Sequence, residues 1–391
     1  MSTAPTSRST SRFIHRRRIR LAAVVQAQIA DSAKPSDSRS LEIVALDAFR
    51  LREPGSRRRY TVIRVRTRSG LSGFGETSVV SSEDLSQAKG ILLGLAATAY
   101  EIARQRLAAL SGIQAAVNIA LLDILGKSTG APIHHVLGGP TRHKVRVLTA
   151  LAGNSNEDLL DSMQRARKAG FRAFLVPLPA PSAANQGQAY AQAVRRRLEK
   201  LREAGGEEVD FALDAAGSLS PGDASSLAAA LERFHLLWFD EPCRISNLSA
   251  LRKISSESVT PIGLGRHIHL AADFQDLLRE EVIDVLRPSL AANGLSQIRK
   301  MAAFAEAYYV AVAPYHDGGQ IGVAAGLHLA ASLPNFFIQQ VPFAVAEADQ
   351  KMRAELLGGW DTQIVDGFAA LPAGSGLGIT VNETVLDKLR E

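Results

Sequence analysis

Three charged residues recur at equal intervals in this chain: Asp214, Asp240 and Arg266, each 26 positions from the next. Each closes a short apolar run: Asp210-Phe-Ala-Leu-Asp214, Leu236-Leu-Trp-Phe-Asp240 and Thr260-Pro-Ile-Gly-Leu-Gly-Arg266. A repeat of about 20–30 residues holds one strand, one helix and their turns. In a closed parallel barrel, residues at the carboxyl ends of successive strands face one pocket. Two carboxylates and a guanidinium meeting there suit three chemistries. They form a buried ion-pair cluster that holds the strands, or a metal-free site where Arg266 is a fixed cation for a polar ligand. The third option is a metal site that recruits Glu241, which the opposite facing of adjacent strand residues disfavours.

Other reactive side chains sit at similar places. Tyr315 and His316 end a run beside Asp317-Gly318-Gly319. They read as an acid/base pair at the pocket, or His316 hydrogen-bonds loop backbone. His267 and His269 alternate after Arg266, but a two-His metal site lacks an identifiable third ligand, so they read as loop histidines. His134 and His135 read as structural. The single cysteine, Cys243, excludes an intramolecular disulfide; it reads as packing, with a reactive thiol as the other option.

The elements that must position these groups are legible in the periodicity. Ile43–Leu51 and Arg59–Thr67 alternate apolar with polar residues, as half-buried strands do. Gly70-Leu-Ser-Gly73-Phe-Gly75-Glu76 reads as turns, and helical segments follow over Ser82–Leu110 and Ile113–Lys127. This makes a small α+β domain over residues 41–140, closed by Leu137-Gly138-Gly139-Pro140. From Val145 strands alternate with helices. Strands are expected near 145–151, 173–178, 210–214, 236–240, 260–265, 283–287, 310–314 and 335–340. Helices are expected between them, among them Pro221–Phe234 behind a Ser220 cap, Asn247–Ser256, Tyr190–Glu203 and Ile321–Ala331. Eight strands in about 200 residues is a (β/α)-barrel count. Residues 141–357 are assigned to the barrel and 358–391 to a C-terminal segment ending in a short helix. Gly374-Ser-Gly376-Leu-Gly378 precedes a short strand in this reading, so it is no nucleotide loop.

Composition narrows the partners. The chain has 391 residues, 46% hydrophobic and 21% charged, as an ordinary globular protein does. Its formal charge is +6. Residues 1–40 hold eight of the 45 basic and two of the 39 acidic residues, which leaves 37 of each in the body. The body therefore offers no basic face for nucleic acid. No apolar run reaches the roughly 18 residues of a membrane helix. The 1–40 tail reads as disordered or as an overlong start of the reading frame; a weak export signal over His15–Val25 is the alternative to a cytoplasmic protein.

The motifs carry a family resemblance. Gly70–Glu76, Asn118-Ile-Ala-Leu-Leu-Asp123-Ile-Leu-Gly126-Lys127, Leu137-Gly138-Gly139, Asp240-Glu241-Pro242, Ala313-Pro314 and Asp366-Gly367…Pro372…Gly376-Leu377-Gly378 resemble the enolase superfamily. Within it they are most similar to the mandelate racemase and muconate lactonizing branch, acid-sugar dehydratases included. The resemblance covers about residues 41–391. It implies a modified (β/α)7β TIM-type barrel, an α/β fold, under an N-terminal α+β capping domain completed by the C-terminal segment. It also implies a homo-oligomer and Mg²⁺-assisted removal of a proton alpha to a carboxylate. Asp214 and Asp240 keep two ligand positions of that pattern, and Arg266 stands at the third, so no cofactor is expected. Leu175 and Pro177 replace the usual lysine pair, Ala216 an Asn, Tyr315 the usual His, Ser289 its Asp partner, and Gln340 a carboxylate. Glu76 falls in the capping loop at the barrel mouth, either shaping the pocket or as a solvated acid.

Two functions are carried forward. One is a divergent lyase or isomerase acting on a hydroxycarboxylate or sugar acid, bound by Arg266, Glu76 and Gln340 with Tyr315 and His316 handling protons. The other is a non-catalytic homologue with a binding or assembly role.

Overall fold

The computed structural model describes residues 39–179, 187–244, 248–269 and 271–389. The expectations for the tail fall on residues 1–38, outside the described residues, as does Asn247 at the start of an expected helix.

Strands β1 (Ile43–Arg52), β2 (Arg59–Thr67) and β3 (Ser72–Thr77) form an antiparallel sheet in the order β1-β2-β3. The stretch read as turns after Gly70 is thus mostly a strand. Its glycines have a packing reason: a Cβ on Gly73 or Gly75 would strike the carbonyl oxygens of Ala120 and Ala116 in the helix lying across it. The single helical segment expected over Ser82–Leu110 is two helices, α1 (Ser82–Leu92) and α2 (Tyr100–Arg106), interrupted near Gly94, which takes a positive φ. Helix α3 (Ser111–Thr129) follows. It is buried on nearly every side, between the sheet and a barrel helix, and is accordingly mostly apolar. A single turn, α4 (Ile133–Val136), leads into the barrel.

The barrel strands are β4 (Lys144–Ala150), β5 (Ala173–Pro177), β6 (Asp210–Asp214), β7 (Phe239–Asp240), β8 (Ile262–Leu264), β9 (Val285–Leu286), β10 (Ala311–Val312) and β11 (Gln339–Gln340). They pair parallel in chain order, and β11 returns to pair with β4. Bonds from Val312 N to Asn335 O and from Phe337 N to Val312 O close the gap between β10 and β11. All eight expected strands are present: Asp210–Asp214 has the expected bounds, Lys144–Ala150 is shifted by one residue, and the other six are shorter than expected. Between them lie α5 (Asn156–Lys168), α6 (Gly187–Gly205), α7 (Pro221–Leu231), α8 (Leu248–Glu257), α9 (Gln275–Arg279), α10 (Leu290–Glu306) and α11 (Gln320–Ser332). Ser220 caps α7 as expected, its Oγ accepting from Asp223 N at 3.2 Å. Leu148, Ala173, Leu175, Ala212, Trp238, Val285, Ala313 and Ile338 fill the barrel interior. No described helix is long and apolar enough to cross a membrane.

The chain then forms α12 (Glu347–Leu356), a hairpin of β12 (Ile364–Val365) and β13 (Phe368–Ala370), and α13 (Glu383–Lys388). No strand follows Gly374–Gly378 among the described residues; Gly376 instead bridges to Pro132 beside α4. The capping sheet is bolted to the barrel by buried polar pairs. Asn118 on α3 exchanges hydrogen bonds with Ser296 on α10, at 2.6 and 3.0 Å. Glu53 takes Arg353 of α12, and Asp349 accepts from Gly55 N at 2.6 Å and Ser56 N at 2.8 Å. Such closely satisfied seams hold the cap in one register over the barrel mouth.

Candidate functional site

Parity along the strands decides which side chains enter the barrel. Ala212 and Trp238 face inward, so Asp214 and Asp240, two residues on, face inward as well. The two stand side by side in the β6–β7 register. Gly263 on β8 leaves the space they need: a Cβ there would meet the Trp238 ring and Asp240 Oδ1.

Asp240 is 0% exposed and held from two sides. Arg287, also 0% exposed, reaches its Oδ1 from Nε at 3.0 Å and its Oδ2 from Nη2 at 3.3 Å. Arg266 donates from Nη2 to the same Oδ2 and lies 3.0 Å from Asp214 Oδ2. Asp214 Oδ1 accepts from Ala216 N at 2.9 Å. Arg287 also donates to Ala313 O and to Gln340 Oε1, both at 2.8 Å. Its guanidinium lies 4.9 Å from the Trp238 ring centre and 5.8 Å from that of Tyr315, which also stacks on Arg266 at 4.6 Å. The barrel centre is therefore a ladder of rings and guanidinium groups around one carboxylate.

Burial opposes ionisation of Asp240, but Arg287 and Arg266 outweigh it and hold its carboxyl below the usual carboxylate range. At Asp214 burial wins over the help from Arg266, and its carboxyl is raised. Arg266 loses hydration through burial, yet Asp240 and Asp214 keep it firmly charged. Its Nε is buried without a hydrogen-bond partner.

The sequence expectations are met unevenly. Asp214, Asp240, Arg266, Gln340 and Tyr315 are brought together. Glu241 is not: in a left-handed conformation, φ 45°, it turns its carboxylate to accept from Gly265 N at 2.8 Å and Arg266 N at 2.9 Å. It thereby fixes the loop that carries Arg266. His316 faces away from Tyr315. It is 2% exposed, its Nε2 is 2.9 Å from Gly319 O, and it lies 3.7 Å from Glu76, so the two do not form an acid/base pair. Tyr315 instead donates to Asp317 Oδ2 at 2.8 Å. Burial, then Asp317, raises its phenol. Glu76 is 2% exposed and not a solvated acid: Gly319 N and Gly322 N donate to its carboxylate, which caps α11 across the seam. Burial pushes its carboxyl up. His267 and His269 are exposed, and Cys243 is buried with its thiol pushed up by burial, then by Glu241. Leu175 packs in the barrel interior.

Arg287, Trp238 and Asp317 were missed. For Arg287 a signal existed: it stands two residues beyond inward-facing Val285, the same parity that marks Asp214 and Asp240.

Comparison with known proteins agrees with this architecture. Residues 158–385 match the family model "Enolase C-terminal domain-like". Residues 52–138 match "Mandelate racemase / muconate lactonizing enzyme, N-terminal domain". The chain is 29% identical over 342 residues to a D-galactonate dehydratase family member of Streptomyces bingchenggensis, covering 76% of this chain and 82% of that protein. It is 28% identical over 370 residues to a D-mannonate dehydratase of Xanthomonas oryzae pv. oryzicola, covering 83% and 87%. A mandelate racemase/muconate lactonizing enzyme-like protein of Rubrobacter xylanophilus superposes with a TM-score of 0.80 at 23% identity, over 90% of this chain and 98% of its own.

These matches correct one expectation. The sequence expectation of no cofactor, drawn from Arg266 at a ligand position, is overturned: the family and its dehydratases depend on Mg²⁺. With the side chains arranged as described, Asp214 and Asp240 are both engaged by Arg266. No group of three His, Cys, Asp or Glu side chains converges among the described residues, so this arrangement does not fit the ion. With one model spanning most of the barrel and the other most of the cap, the chain belongs to the enolase superfamily, in its mandelate racemase/muconate lactonizing enzyme branch.

Proposed function

We propose that the barrel mouth binds a small hydroxycarboxylate or sugar acid, and that turnover is of the lyase or isomerase type. The observation that carries this is Arg266, a desolvated cation at the rim whose side chain is 11% exposed, beside Asp214 at 18%. Asp240, Arg287 and Gln340 form the floor beneath them. Arg266 attracts the ligand carboxylate, and Asp214 accepts from sugar hydroxyls. Tyr315, whose hydroxyl donates to solvent-exposed Asp317, stands where it can hydrogen-bond a ligand hydroxyl. The sugar-acid dehydratases among the relatives support this substrate class.

A second reading, a non-catalytic binding homologue, is favoured by the pairing of both carboxylates and by Leu175 and Pro177 at the end of β5, which carry no proton. A thermal-shift panel of sugar acids against the matching neutral sugars tests the binding. A ligand at 100 times its Kd stabilises by about 2.7 kcal/mol, a shift of a few degrees. Only the acids should produce it, and Arg266→Met should abolish it. Equal shifts from neutral sugars, or none from any acid, refute the proposal. Acid binding without formation of a dehydrated keto acid selects the second reading.

A further inference from the structure

A pair of histidines joins three parts of the molecule away from the barrel mouth. His134 on α4 and His328 on α11 stack with ring centres 5.1 Å apart and 20° between planes. Their Nδ1 atoms are 2.8 Å apart, and His328 Nε2 lies 3.0 Å from Leu377 O in the C-terminal segment. Both side chains are buried.

The tautomers follow from the carbonyl. Leu377 O can only accept, so His328 Nε2 carries hydrogen and donates. In neutral His328 the Nδ1 is then a lone pair, which must accept from His134 Nδ1–H. That leaves the lone pair of His134 on Nε2. A first proton adds there and leaves both hydrogen bonds intact. A second has only His328 Nδ1, where it would set N–H against N–H and stack two cations.

We propose that the His134–His328 pair is an acid-operated latch: it joins α4, α11 and the C-terminal segment with no added proton or one, and opens with two. The charged surroundings do not relieve the second charge. His135, whose ring centre is 4.7 Å from that of His134, acts on both rings as a further cation when protonated, and His143 acts on His134. Arg142 binds the carbonyls at the end of α11, and Arg299 of α10 approaches Gly138. Asp123 on α3 is committed to Lys127 at 2.7 Å and to Leu377 N at 2.8 Å. Burial accordingly pushes His328 down to about 4 and lowers His134. Because both folded values lie below the unfolded one, stability is present above about pH 6.5 and lost as pH falls toward the folded values.

The test is a pH titration of the protein with ¹⁵N-labelled histidine, followed by NMR, together with hydrogen exchange at Leu377. His134 should titrate first, while the His328 Nε2 proton stays protected until Leu377 begins to exchange. In His328→Gln, whose neutral amide still reaches Leu377 O, opening at Leu377 should move to lower pH by roughly half a unit. Should His328 Nε2 lack a proton at neutral pH, or should both rings titrate together near pH 6.5 with Leu377 still protected, the latch is excluded. An unchanged opening pH in a folded His328→Gln also excludes it. If that variant does not fold, the wild-type titration order decides.

Discussion

Replacing Arg287 by Met keeps a comparable buried volume and removes the charge that holds Asp240. Asp240 would keep Arg266 as its only cation, while Gln340 Oε1 and Ala313 O would lose their donor. All of this happens at full burial, where truncating one partner of an ion pair costs roughly 3–5 kcal/mol because the other charge is stranded. Arg266→Met is the internal control. Its side chain reaches the rim, and Asp240 would keep Arg287, so the loss should be smaller, about 1–3 kcal/mol. In melting curves this means a drop of roughly 4–6 °C for Arg287→Met and about half of that for Arg266→Met. Adding Asp240→Asn to Arg287→Met should recover part of the loss, because no stranded charge remains. The reasoning is refuted if Arg287→Met melts within a degree of wild type, or if Arg266→Met proves the more damaging change.

Two further outcomes follow from the seam and from the thiol. Glu76→Gln should destabilise, since Gly319 N and Gly322 N lose a carboxylate cap. Because the folded pKa of Glu76 is raised, its stabilising contribution is full below the unfolded value and falls as pH rises through the folded one. The gap between wild type and Glu76→Gln should therefore shrink as pH rises above about 4.5, and a gap that widens sinks this account. Cys243 should react with a thiol reagent only on unfolding, and rapid stoichiometric labelling of the native protein would contradict its burial.

Local pattern determined much of the architecture. The alternation of apolar runs and helical stretches located all eight barrel strands, because strand and helix periods are properties of adjacent residues. Equal spacing brought Asp214, Asp240 and Arg266 to one rim, since every repeat of a barrel returns the chain to the same end. What no local pattern contained was the partner of each buried polar group. Arg287 meets Asp240 across 47 positions, and Glu76 meets Gly319 across 243. His316 follows Tyr315 by one residue yet serves the cap instead of the mouth. Once the barrel closes and the cap seals over it, each desolvated charge must find whichever donor or acceptor the packing brings near, so only the tertiary structure could decide these pairings.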